Sequence, residues 1–191
     1  MRSFLLVSVL LAAGCGGGGE SPRPVDGCTG DGCTCGEGLS CVCTQGTDCK
    51  ATCSVDCSLR CEVGAKCNVD GDAAVTYTCE DDSDCKGSGG IRSTVRCRDT
   101  AKCNIEVAES SAAFCDDQAD CKFDLGDGGT IICRGDATCD ATCTSGCTLT
   151  CDTTATCTLS CSGGGCSIES CPDDNLDTCS DGTLVCNGPC P

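Results

Sequence analysis

Cysteine recurs along this chain with a fixed spacing, and that spacing constrains the fold more than any other feature. Cysteines lie 18 residues apart at positions 43, 61, 79, 97, 115, 133 and 151, and each is followed by another cysteine six residues later. Seven copies of an 18-residue unit without an insertion indicate a repeat fold in which each unit contacts its neighbours.

Within each unit, counted as offsets 0 to 17 from its first cysteine, inward and outward residue types alternate. Offsets 8, 10 and 16 hold mostly apolar, cysteine or glycine residues, for example Ile105, Val107 and Ala113. Offsets 7 and 9 hold polar residues, for example Asn104 and Glu106. A period of two is typical of β-strands, because successive side chains point to opposite faces. Each unit therefore predicts two short strands, near offsets 6–10 and 14–18, where offset 18 is the first cysteine of the next unit, with turns rich in Gly, Asp and Ser between them.

Two architectures fit two strands per repeat, a β-solenoid in which each unit is one coil and an antiparallel meander. Offset 5 discriminates between them, because it alternates in sign through Asp48, Lys66, Asp84, Lys102 and Asp120. In a solenoid these residues stack about 4.8 Å apart, so that opposite charges attract where like charges would repel. The sequence therefore predicts an all-β fold, a disulfide-stapled β-solenoid of about seven 18-residue coils with cysteine-rich caps.

The composition leaves little other than cysteine to hold such a fold together. The chain has 29 Cys among 191 residues, but only 30 Leu, Ile, Val and Phe combined, and its net charge is -17. Such a chain cannot fill an ordinary apolar core. Cys15 lies apart from the others near the start of the chain, and 28 cysteines remain without it. An even number of cysteines favours disulfides in a chain that is exported.

The spacing pairs the cysteines at offsets 0 and 6, and those near offsets 10 and 14. The predicted disulfides are Cys43–Cys49, Cys61–Cys67, Cys79–Cys85, Cys97–Cys103, Cys115–Cys121, Cys133–Cys139, Cys151–Cys157, Cys53–Cys57, Cys143–Cys147 and Cys161–Cys166. Four cysteines precede the repeats (Cys28, Cys33, Cys35, Cys41) and four follow them (Cys171, Cys179, Cys186, Cys190). We expect each group to form two disulfides and to cap one open end of the solenoid, with a connectivity that spacing leaves open.

The first residues have the pattern of an export signal. Arg2 precedes an apolar run from Phe4 to Ala13, which is too short to span a bilayer as a helix. The run leads into Gly14 and Cys15 and resembles the lipobox of bacterial lipoproteins, although Ala12 stands where leucine is more common.

The resemblance implies cleavage after Gly14, a diacylglycerol thioether on Cys15 and acylation of the new amino terminus. An ordinary secretory signal is the alternative. Gly16, which follows the cysteine, favours the outer membrane or the cell surface if the cell has an outer membrane. The sequence thus divides into a lipoprotein signal peptide at 1–14, a lipid-anchored Gly/Pro tether at 15–27, the N-terminal cap at 28–42, the solenoid at 43–168 and the C-terminal cap at 169–191.

The residue types present argue against catalysis and against nucleic-acid binding. The chain has no His, one Tyr and no Trp, so it lacks the usual general base and stacking platforms. We expect a non-enzymatic cell-envelope lipoprotein, a structural or adhesive surface module attached to the membrane through Cys15. Its partner is an unidentified surface protein or polymer, and no cofactor is expected apart from calcium as an alternative.

Divalent-cation binding is the leading alternative, because Asp81, Asp99 and Asp117 share offset 2 and would stack as a ladder of oxygen ligands. Thiolate metal binding is a weaker one, suggested by Cys33-Thr34-Cys35 and Cys41-Val42-Cys43, which have the C-x-C form that metallothioneins use.

Ice binding is the weakest alternative. The cysteine bracing resembles that of beetle hyperactive antifreeze β-helices, which use 12-residue coils and a regular Thr-Cys-Thr face. Here offset 15 gives a partial threonine column, but offset 17 includes Arg60, Arg96, Phe114 and Ile132. A flat face for ice would need both columns.

Overall fold

A computed structural model describes residues 27–36, 40–152, 154–172 and 175–190. These residues form an all-β solenoid of about seven turns with an 18-residue spacing. The predicted fold class is therefore confirmed, and the antiparallel meander is wrong for the repeats. The signal peptide and Cys15 lie outside the described residues.

The strands are short and follow one another with little intervening chain. In chain order they are β1 (Gly27–Thr29), β2 (Cys33–Gly36), β3 (Ser40–Cys43), β4 (Asp48–Val55), β5 (Ser58–Cys61), β6 (Lys66–Ala73), β7 (Thr76–Cys79), β8 (Asp84–Gly89), β9 (Thr94–Cys97), β10 (Lys102–Val107), β11 (Ala112–Cys115), β12 (Asp120–Leu125), β13 (Thr130–Cys133), β14 (Thr138–Cys143), β15 (Thr148–Cys151), β16 (Thr156–Cys161), β17 (Ser167–Ser170), β18 (Leu176–Thr178) and β19 (Leu184–Cys186). Each coil gives one strand to each of two sheets.

The two sheets run along the length of the solenoid, and their inward-facing residues form one shared core. The larger sheet has the order β1-β4-β6-β8-β10-β12-β14-β16-β19-β18, and the smaller has the order β17-β15-β13-β11-β9-β7-β5-β3-β2. Strands of successive coils pair in parallel, and through β16 equivalent offsets of neighbouring coils lie opposite each other. At offset 5, for example, Asp48 lies opposite Lys66 and Lys66 lies opposite Asp84. The alternating charges therefore stack in the register that the sequence predicted.

Antiparallel strands close three of the sheet ends. At the N-terminal end β1 pairs with β4 and β2 pairs with β3, while at the C-terminal end β19 pairs with β16 and β18 with β19. A strand that runs against the parallel ladder satisfies the open backbone groups of the last coil and stops further stacking. The two cysteine-rich ends therefore act as caps.

The sulfur atoms line both corners where the chain crosses between the sheets. The structure forms disulfides at all ten repeat pairs that the spacing predicts, with Cα–Cα distances between 5.9 and 6.5 Å. In the caps it joins Cys28 to Cys33, Cys35 to Cys41, Cys171 to Cys186 and Cys179 to Cys190. Disulfides at this density indicate a chain that matures in an oxidising environment.

Where a coil lacks the second cystine, a large side chain fills the interior in its place. Tyr77 is fully buried and its hydroxyl donates a hydrogen bond to the carbonyl oxygen of Ser88 at 2.7 Å. Its ring lies against Gly71 and Gly89, which occupy the offset where other coils carry Cys, Val or Leu. A Cβ atom on Gly71 would come within 2.1 Å of the Tyr77 hydroxyl oxygen, so the small residues make room for the large one. Burial raises the pKa of this hydroxyl above its ordinary value.

A buried carboxylate joins three stacked layers of chain at the edge of the smaller sheet. The carboxylate of Glu80 is 9% exposed and accepts hydrogen bonds from Arg60 at 2.6 Å and from Arg98. Arg60 lies on β5, Glu80 directly follows β7 and Arg98 directly follows β9, so the carboxylate bridges three successive strands of the smaller sheet. Both guanidinium groups are about half exposed, which lets them keep water on one side.

Replacing Glu80 with alanine should destabilise the solenoid by about 2 kcal/mol, because hydrogen bonds to charged groups typically contribute 1.5–3 kcal/mol. The two arginines can rehydrate after the change, which limits the loss. Differential scanning calorimetry of the oxidised chain measures it, with Glu106→Ala, an exposed carboxylate on the other sheet, as the matched control. Equal melting temperatures for the two variants would contradict a bridging role.

Candidate binding surface

The outer face of the larger sheet carries a regular arrangement of charge. We call it the charged lattice and define it as offsets 5, 7 and 9 of strands β4, β6, β8, β10 and β12. In chain order its residues are Asp48, Lys50, Thr52, Lys66, Asn68, Asp70, Asp84, Lys86, Ser88, Lys102, Asn104, Glu106, Asp120, Lys122 and Asp124. All point away from the interior, because even offsets face inward.

The lattice consists of two kinds of row that alternate along the solenoid. The rows on β4 and β8 read acid, lysine, hydroxyl, and the rows on β6 and β10 read lysine, asparagine, acid. The row on β12 follows the first kind but ends in Asp124 instead of a hydroxyl. Parallel pairing places each row directly against one of the other kind.

The charges in the lattice nearly cancel. It holds all five lysines of the chain and six carboxylates, within a chain whose net charge is -17. Lys86 donates a hydrogen bond to Asp84 in its own row at 3.3 Å, and Ser88 donates one to Asp70 in the next row at 3.1 Å. The face is therefore close to neutral and rich in both donors and acceptors.

Two shallow depressions of the same composition lie on this face. The first, of about 230 Å³, is lined by Asp48, Lys66, Asn68, Asp84 and Lys86 together with cystine residues. The second, of about 370 Å³, is lined by the residues 36 positions later, Asp84, Lys102, Asn104, Asp120 and Lys122, together with cystine residues and, in addition, Lys86 and Asp140. The same surface thus repeats every two coils, a distance of about 10 Å.

The predicted aspartate ladder has a backbone role in the structure. Asp81, Asp99 and Asp117 adopt positive φ angles of 45°, 61° and 66°, a conformation that Asp tolerates better than most residues. Asp117 Oδ2 also accepts a hydrogen bond from the Asp99 backbone N–H at 3.3 Å. In the described part of the chain, every group of three potential metal ligands that lie within 4.8 Å of one another consists of cysteines. Calcium binding by the aspartates stays a prediction.

The clustered sulfur atoms belong to disulfides. Cys61, Cys67 and Cys85 form one such group, in which two neighbouring cystines contact each other. Metal binding requires thiolates, and a sulfur in a disulfide is not one. The arrangement is therefore a stack of cystines in the oxidised chain.

The smaller sheet offers a less regular outer face. Offset 15 carries hydroxyl groups on most coils, but β11 has Ala112 there. At offset 17, the guanidinium carbon of Arg96 lies 4.2 Å from the centroid of the Phe114 ring, a cation–π contact that covers part of the face. Charged and aromatic groups therefore interrupt the second column that a flat ice-binding face would need.

Sequence reasoning found the alternation at offset 5 but missed that offset 7, and offset 9 as far as β10, alternate in step with it. The signal was available, because Lys50, Lys86 and Lys122 are 36 residues apart, as are Lys66 and Lys102. A repeat of two coils is superimposed on the repeat of one coil.

Within the described residues the structure has no helix that is long and apolar enough to cross a membrane. Comparisons with protein-family models, with curated proteins and with solved structures found no match to this chain. The charged lattice must therefore be interpreted from its own chemistry.

Proposed function

We propose that this chain is a non-enzymatic lipoprotein of a bacterial cell envelope, exported, anchored through lipid on Cys15 and acting as a structural or adhesive surface module. The observation that carries the proposal is a disulfide-braced solenoid with a regular polar face, in a chain that begins with a lipobox-like sequence. Seven coils give a rod about 34 Å long.

The position of the N-terminal cap supports this arrangement. Strand β1 begins at Gly27 and pairs with β4, the first strand of the larger sheet within the repeats. A tether that ends at this residue attaches the rod by its N-terminal end. The lateral faces, including the charged lattice, then remain accessible to a partner.

The residues of the lattice support binding and give no support to catalysis. They are carboxylates, lysines, asparagines and hydroxyls on exposed strands, and the depressions between them are shallow. Chemistry at such a surface would lack a desolvated site in which pKa values could be tuned. Polar contacts repeated along a rigid strand array suit recognition of an extended surface.

The anchor is tested by replacing Cys15 with serine in the full chain and separating cells into membrane and soluble fractions. Wild-type protein should partition almost entirely with membranes, and the Cys15→Ser variant should lose this association, because the acyl chains that anchor it are missing. Ser21→Ala, a change in the predicted tether, is the control and should behave as wild type. A Cys15→Ser variant that still sediments with membranes would refute lipid anchoring.

A further inference from the structure

From β4 to β10, the two kinds of row in the charged lattice are complementary at every column. An acid in one faces a lysine in the other at offset 5, a lysine faces an asparagine at offset 7, and a hydroxyl faces an acid at offset 9. Asp124 on β12, which lies opposite Glu106, is the exception. Elsewhere in the lattice like charges do not face each other on neighbouring strands, as the pairs Asp84 with Lys102 and Ser88 with Glu106 show. The same property makes the face complementary to itself.

We propose that the charged lattice docks face to face with the charged lattice of a second copy of this chain, with the two solenoid axes antiparallel. A two-fold axis parallel to the strands, placed between β6 and β8, keeps each column on itself and exchanges the two kinds of row. Lys66 then meets Asp84 of the second copy, Lys86 meets Asn68, and Ser88 meets Asp70. The rows on β4 and β10 exchange in the same way, and no like charges lie directly opposite each other.

A parallel arrangement of the two copies fits worse. A two-fold axis along the solenoid would keep every row on its own kind. Centred on offset 7, that axis places Lys50 and Lys86 opposite themselves, and centred between offsets 5 and 7, it leaves the offset 9 column without an opposing column. Like charges held opposite each other disfavour a wrong partner or orientation. The charge pattern therefore selects the antiparallel pair.

This orientation has a consequence that rests on the proposed function. If each copy is attached to a membrane by its N-terminal end, antiparallel copies carry their anchors at opposite ends of the pair. Copies on one surface would meet copies on a facing surface, and the lattice would act as a homophilic adhesive. Individual exposed ion pairs are weak, but many copies on two surfaces act together.

The near neutrality of the lattice permits this contact. A chain with a net charge of -17 repels a second copy over most of its surface, whereas the lattice concentrates every lysine where the two copies would meet. Long-range repulsion and local attraction then align the two faces before contact.

The test uses a variant in which the sign of the charge at offset 5 is reversed in every row. Its substitutions are Asp48→Lys, Lys66→Asp, Asp84→Lys, Lys102→Asp and Asp120→Lys. This variant keeps the alternation between neighbouring coils and remains complementary to itself, but it opposes like charges to the wild-type lattice. Wild-type and variant full chains carrying Cys15→Ser are labelled with two dyes and mixed at low ionic strength. Sedimentation velocity and energy transfer between the dyes then report like and mixed pairs.

We expect each protein to form dimers with itself and mixed pairs to stay far below the statistical half. Salt should disperse both, because the screening length falls from about 30 Å at 0.01 M to about 3 Å at 1 M. Mixed pairs at the statistical proportion, or no dimer of wild type at any concentration tested, would overturn the proposal. A matched variant of the smaller sheet, Thr148→Ser, should pair with wild type normally.

A second arm displays the lipidated proteins on two populations of phosphatidylcholine vesicles. Wild-type vesicles should cluster with each other and exclude vesicles that carry the reversed variant. Failure of lipid anchoring would appear in cell fractionation and leave the solution dimer measurable. Failure of the dimer would leave the anchor measurable, so the two proposals can fail separately.

Discussion

Complete reduction of the disulfides is expected to unfold this chain without any added denaturant. Each cystine that joins offsets 0 and 6 closes a loop of about seven residues, which in the chain-entropy treatment contributes roughly 2.4 kcal/mol. These contributions do not add simply, but the apolar residues that remain cannot replace fourteen cystines. The cysteines themselves are a large part of the buried interior.

Circular dichroism and limited proteolysis of the reduced and alkylated chain test this expectation. The strand signal should be lost, and cleavage should occur throughout the repeats. The oxidised chain carried through the same buffers without reductant is the control. A reduced chain that kept its strand signal and its protease resistance would show that the interior packing alone specifies the solenoid.

Partial reduction should follow burial. Cys35, in the N-terminal cap, is exposed although its partner Cys41 is buried, whereas Cys85, Cys97 and Cys115 are completely buried within the ladder. A thiolate must reach a sulfur atom to exchange with it. With a limiting thiol reductant, alkylation detected by mass spectrometry should therefore begin in the two caps, where Cys35 and Cys190 are exposed, before it reaches the ladder.

Much of the fold follows from the sequence because one constraint acts on every coil. A stacked coil must place the same offset on the next coil, so the alternation of Asp48, Lys66 and Asp84 specifies the register as well as the architecture. The corner disulfides follow from the same constraint, since both cysteines of a pair face the narrow interior at one corner. Because the 18-residue spacing repeats seven times, few other architectures or registers could satisfy it.

The caps could not be predicted in the same detail because they leave the repeat. Antiparallel pairing of β2 with β3 places Cys33 opposite Cys43 and Cys35 opposite Cys41, yet only the second of these two pairs is a disulfide. Cys33 bonds instead to Cys28, which lies on β1 in the other sheet. Four cysteines in a short segment allow several pairings, and spacing alone does not choose among them.

The charged lattice was only partly predictable for a different reason. Offset 5 alternates between full charges of opposite sign, which is conspicuous in a sequence. Offset 7 alternates between lysine and asparagine, and offset 9 alternates between a hydroxyl and an acid as far as β10, so that like charges are kept apart there, whereas Asp124 on β12 lies opposite Glu106. This arrangement depends on offsets 5, 7 and 9 lying together on the outer face of the larger sheet, which the structure shows.

Two phenylalanines of neighbouring strands offer a direct measure of what the thin interior contributes. Phe123 on β12 is fully buried at offset 8, between Ile105 of the preceding coil and Ala141 of the next. Phe114 on β11 lies on the outer face of the smaller sheet, half-buried under Arg96. The same substitution can therefore be made at an outward-facing and an inward-facing phenylalanine of two consecutive coils.

Replacing Phe123 with alanine should cost about 3–5 kcal/mol, the range for a buried phenylalanine that leaves a cavity. Collapse around the gap is limited, because the Cys115–Cys121 cystine fixes one end of the strand and backbone pairing with two coils fixes its sides. Phe114→Ala should cost about 0.5–1 kcal/mol, the value of an exposed cation–π contact. Denaturant unfolding of the oxidised chains measures both. If the two variants lost the same free energy, the cystines alone would carry the stability of the coil, and the apolar residue between them would contribute little.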